Sequence, residues 1–172
     1  MEDFSNILNK DYLDFYVYLP YNKIAEEVDN FSDFAFIKED LLDLREIFNE
    51  VSLQLAILKD EIPYKGLHID YERKIEVSLG NIEDWLERAG EIIDKLMKKI
   101  YNASHIRNSN IIHWYLHKAY YITIDMLKYT YAVRNSLRFG KDDSALLNKY
   151  LRIINEEIEK VRNLINEMLK HI

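Results

Sequence analysis

Residues 37–62 read IKEDLLDLREIFNEVSLQLAILKDEI, and the spacing of apolar positions in that stretch decides the fold. Ile37, Leu41, Leu44, Phe48, Val51, Leu55, Leu58 and Ile62 follow one another at alternating steps of four and three, without a miss. The mean step is close to 3.6, so these side chains leave one side of an α-helix. A stripe held over this length is what a bundle seam needs, whereas an ordinary surface helix does not sustain it. Ser32 is the expected N-cap, and Pro63 with Gly66 is the expected stop.

The C-terminal stretch repeats the pattern with Leu147, Leu151, Ile154, Ile158, Val161, Ile165, Met168 and Ile172, started by Asp143 or Ser144 after Phe139-Gly140-Lys141. Between the two lie wider stripes. Tyr71, Ile75, Leu79, Ile82, Leu86, Ala89, Ile93, Leu96 and Ile100 form one, with a second apolar face of Val77, Trp85 and Ile92. Ile112, Leu116, Ala119, Ile122, Met126, Val133 and Leu137 form the other, after a turn at 102–104 in which Ser104 is a candidate N-cap. Breaks at 63–67, 102–104 and 139–143 are short, so successive helices must run antiparallel. The predicted fold is all-α: an antiparallel up-down-up-down bundle of four long helices, forming a single domain over 1–172. Residues 1–31 remain, and 6–19 with 22–28 predict one or two short helices packed on it. Their apolar content (Phe4, Leu8, Leu13, Phe15, Tyr16, Val17, Tyr18, Leu19) is too high for a disordered tail.

Composition agrees with long helices: 172 residues hold only four Gly and two Pro, so few turns are available. With no Cys there is no disulfide framework, thiolate metal site or thiol nucleophile. The acidic start Met1-Glu2-Asp3-Phe4 lacks signal-peptide layout, and no apolar run is long enough for a membrane span; a soluble cytoplasmic protein is expected. The net charge of −7 is unevenly spread. Residues 1–62 carry 15 Asp/Glu against 5 Lys/Arg, whereas 105–141 carry Arg107, Lys118, Lys128, Arg134, Arg138 and Lys141 against Asp125 alone. A basic helix rich in Tyr offers RNA one face, with Lys118, Tyr121, Lys128, Arg134 and Arg138 as the contacts. It serves equally well to neutralise the acidic N-terminal helix inside the same bundle. Tyrosines at helical spacing are more often packing residues than stacking platforms for bases.

Within that helix stands Arg107-Asn108-Ser109-Asn110-Ile111-Ile112-His113. A guanidinium holds phosphate in a bidentate fork, and an imidazole trades protons at neutral pH. Cleavage of RNA through its 2′-hydroxyl needs those two functions and no metal. Arg107 then binds phosphate, His113 is the acid/base, and Asn108 and His117 assist. The stretch resembles the motif of the HEPN superfamily: an arginine, then a polar residue such as asparagine, then a histidine after four to six intervening positions. Here Arg107, Asn108 and His113 fit, with five residues between the outer two. The resemblance covers about nine residues; it implies a helical bundle, and often a metal-independent endoribonuclease of toxin–antitoxin or antiviral systems that works as a homodimer. His113-Trp114-Tyr115 also matches the histidine-x-tyrosine ending of one toxin branch, in which arginine and histidine lie one residue closer. On a regular helix six positions leave Arg107 and His113 about 120° apart. They meet only if the helix starts late, near Ser109, or if the partner residue comes from another subunit.

Two other constellations are weaker. His113 and His117 lie one turn apart and can share a metal, but no acidic residue sits within a turn of either on that helix. A di-iron bundle requires Glu-x-x-His on two helices, and the chain has none. No cofactor or metal is therefore expected. Two functions follow: a HEPN-like RNA-binding protein or endoribonuclease, and a non-catalytic bundle that acts as an adaptor or as a small subunit of a nucleoprotein or other assembly. An open groove shared by Arg107 and His113 favours the first; their burial against Ile or Leu favours the second.

Overall fold

A computed structural model describes residues 30–65, 69–103, 107–138 and 144–172. Helix α1 spans Asn30–Glu61 and runs into a 3-10 turn, Ile62–Tyr64; α2 spans Ile69–Asn102, α3 Ser109–Arg138 and α4 Ser144–Lys170. The fold is all-α, with no strand among the described residues. The short helices expected within 1–31 lie outside the described residues. Helix α1 begins at Asn30, so Ser32 falls inside its first turn and is not the N-cap. Ser104 is not the cap of α3 either, because that helix starts at Ser109.

Contacts between helices fix their directions. Across α1 and α2, Asp40 meets Lys99, Gln54 meets Asn81 and Glu61 meets Lys74, so numbers rise on one helix as they fall on the other. Glu76 meets Arg138 and Glu83 meets Arg134 across α2 and α3. Tyr115 meets His171 and Tyr129 meets Tyr150 across α3 and α4. Each successive pair is antiparallel, and packing of α1 on α4 closes the ring. Helices α1 and α3 therefore run parallel, with Asn30 and Ser109 at the same end of the bundle.

One continuous core fills the centre. Ile37 through Leu58 on α1, Ile75 through Ile100 on α2 and Leu147 through Met168 on α4 are buried at every position of their predicted stripes. Tyr71 and Ile172, at stripe ends, are half-buried. Each such Leu or Ile stabilises the fold by roughly 1.5–3 kcal/mol through burial. Helix α3 departs from its prediction. Its buried line runs through Ile112, Leu116, Ala119, Thr123, Met126, Thr130 and Val133, and Ile122 is only partly covered. The two threonines are fully enclosed because each hydroxyl donates to the carbonyl four residues back, on Ala119 and Met126. On α2, Trp85 and Ile92 pack at the margin of the core as a second face requires, but Val77 points into solvent.

Candidate functional site

The predicted motif straddles the start of α3. Arg107 and Asn108 form the turn ahead of the helix, and Ser109 is its first residue. Asn108 has φ 65, in the left-handed region that asparagine enters more readily than other non-glycine residues. Its carbonyl accepts the amides of Ile111 and Ile112, both at 3.0 Å, and so opens the helical ladder. Its side-chain Nδ2 donates to the His171 carbonyl at 3.4 Å, joining the start of α3 to the end of α4. The ring of His171 stacks near Tyr115, with centroids 6.2 Å apart. The late helix start takes Arg107 out of helical phase with His113. Arg107 itself is exposed.

His113 is not. It is 2% exposed. Burial holds its imidazole below the ordinary range, and neighbouring His117 lowers it further. His117, half-buried, is lowered by burial too, and its ring meets the Tyr121 edge at a centroid distance of 4.7 Å. The two histidines are thus brought together, in a state that favours neutral rings. Among the described residues no group of three or more His, Asp or Glu converges as a metal site.

The basic residues divide between two sides of α3. Arg134 makes a fork with Glu83 of α2, Nε to Oε1 and Nη2 to Oε2 each at 2.9 Å, and its Nη1 also donates to Glu76. Arg138 joins Glu76 from the next turn at 3.4 Å. Hydrogen bonding to Glu83 is the main reason the Arg134 guanidinium is held still more firmly protonated. Further along the same seam, burial and then Glu87 raise the Tyr131 phenol, while burial and then Asp94 raise that of Tyr120. Glu76, Glu83, Glu87 and Asp94 are seam partners that no local pattern discloses, because acidic residues on α2 look like a solvated face.

Lys118 lies on the other side, about 160° around the helix from Arg134. Its Nζ sits 3.7 Å from the centroid of the Trp114 ring. Trp114 remains 42% exposed and Ile111, one turn before it, 40% exposed. Tyr121 is half-buried against the core. Lys128 is exposed, 3.8 Å from Asp125. In the sequence Ile111 and Trp114 stand only inside the motif stretch, yet both lie outside the buried stripe, the signal for an outward apolar pair.

The chain matches no protein-family model, no curated protein and no solved structure. Among the described residues no helix is long and apolar enough to cross a membrane.

Proposed function

We propose that the protein is a non-catalytic helical-bundle adaptor that engages a protein partner through the outward face of α3. The observation that carries this reading is the enclosure of His113 at 2% exposure. A general acid/base has to reach the proton it moves, directly or through one water. Supporting it, Arg134 and Arg138 face carboxylates of α2, so the strongest cations of the helix serve the bundle. What α3 turns outward instead is Ile111, Trp114 and Lys118, an apolar pair with one cation. Aromatic and apolar groups of this kind, ringed by polar ones, are the usual anchors of protein interfaces.

A second reading is a HEPN-like, metal-independent endoribonuclease, with Arg107 on phosphate, His113 as acid/base and Asn108 and His117 assisting. The start of α3 at Ser109 favours it, because that start removes the helical offset between Arg107 and His113. One experiment separates the two: purified protein is incubated with mixed RNA in EDTA beside His113→Ala. The adaptor leaves RNA intact in both samples. Cleavage by the parent that His113→Ala lowers by on the order of 10²–10⁴-fold establishes the nuclease.

A further inference from the structure

Four of the seven large apolar side chains that stand exposed among the described residues lie where α1 and α2 meet: Leu53, Ile57, Tyr64 and Val77. The Gln54–Asn81 and Glu61–Lys74 contacts fix which side of each helix faces the other and set the register between them. Ile57 falls between Gln54 and Glu61, and Val77 between Lys74 and Asn81, each three or four positions from both neighbours. Residues so spaced share a side of a helix, so Ile57 and Val77 flank the junction at the same level. Leu53 continues the stripe one turn back along α1. Tyr64 closes its end by stacking on Tyr71, with ring centroids 5.1 Å apart.

The charges beside this stripe are sorted by helix. Along α1, Glu39, Asp43, Glu46, Glu50, Leu53, Ile57 and Asp60 follow at steps of four and three and are all exposed, so every charge in the row is acidic. The matching row of α2 carries exposed Arg73, Lys74, Arg88 and Lys95 beside Asp70, Asp84 and Glu91. In the register set above, Arg88 lies level with Glu46 and Arg73 with Asp60, one pair on either side of the apolar centre.

These rows select the occupant and its orientation. A second copy related by a two-fold axis across the helices would lay α1 on α1, carboxylates against carboxylates. A two-fold axis along the bundle instead lays α1 of one copy on α2 of the other. Ile57 then meets Val77, Glu46 meets Arg88 and Asp60 meets Arg73, each of them twice. Two helices about 45 Å long, side by side, present on the order of 800 Å² per partner, the size of a standard specific interface.

We propose that this face pairs two copies of the chain, with α1 of each protomer against α2 of the other. The surface does not involve α3, so the proposal stands apart from the reading of that helix. Sedimentation equilibrium tests it at about 100 μM chain, where mass action favours even a modest dimer. The parent should sediment at twice the 20.7 kDa of one chain. Glu46→Arg with Asp60→Arg in one variant, and Arg73→Glu with Arg88→Glu in another, should each sediment as monomers. An equimolar mixture of the two should recover the doubled mass, because each then offers the other opposite charge. Val77→Asp, at the apolar centre, should also give monomers. All these positions are exposed, and the helical circular dichroism of each variant reports that the bundle is intact. A monomeric parent would overturn the proposal. So would a dimer that survives all of these changes, or charge variants that stay monomeric when mixed.

Discussion

Asn108 links three features at one position: a left-handed backbone, a carbonyl that opens α3 and an amide that holds the end of α4. A residue with Cβ and no local hydrogen bonding is disfavoured there by roughly 1–2 kcal/mol. Asn108→Ala should lower stability by about that amount, and Asn108→Gly by less, because glycine enters the same region freely. Equal losses measured by urea unfolding would mean that the amide contact, and not the backbone, dominates. At His113 and His117 the sign of pH dependence follows from burial. Both are held below the ordinary imidazole range, so near pH 6.5 the unfolded chain binds more protons than the folded one. Their contribution is whole above about pH 6.5 and drains as pH falls through that value toward the folded pKa values. The urea midpoint should drop on acidification, and His113→Leu should flatten that drop. An undiminished slope in the variant would place the effect on other groups.

Among the elements, the seam between α2 and α3 is held by a charged fork. Arg134 and Glu83 are each largely covered, at 16% side-chain exposure, so removing one partner leaves the other with an unmet charge. Arg134→Met should cost about 1.5–3 kcal/mol, the range for hydrogen bonds to charged groups, and Arg134→Met with Glu83→Met should cost less than the two single changes together. Additive losses in a double-mutant cycle would show that the fork contributes no coupling. The seam also marks where the sequence was readable and where it was not. Unbroken Leu/Ile stripes on α1 and α4 gave the helix faces outright, because one periodicity and one burial direction coincide. The apolar pattern of α3 points Ile122 inward, whereas Thr123 and Thr130 take the buried line because their hydroxyls turn back on their own helix. Substituting Val at Thr123 should therefore change stability by no more than about 1 kcal/mol, because the carbonyl it releases keeps its helical amide. A loss above about 3 kcal/mol would require a further partner for that hydroxyl.

For the whole molecule, one core joins four helices, and its contribution should be felt wherever the seam is cut. Leu44→Ala and Leu58→Ala should each cost on the order of 2–5 kcal/mol, whereas Leu53→Ala, more than half exposed, should stay within about 0.5 kcal/mol. Similar values at all three sites would contradict the assigned faces. The candidate site was legible only as a list of residues. Arg107, Asn108 and His113 stand at motif spacing, but spacing along a chain does not say which ring the bundle encloses. Nor does a basic stretch of sequence say which cations face inward; that depended on Glu76 and Glu83, far away on another helix. The central proposal is that the cations of α3 serve the bundle and a protein partner, and do not serve nucleic acid. It is tested most directly by mixing the protein with single-stranded RNA at about 50 mM salt, where phosphate contacts are strongest. The account predicts no measurable binding. Tight binding that falls steeply with added salt, and that Lys118→Glu with Lys128→Glu weakens, would contradict it.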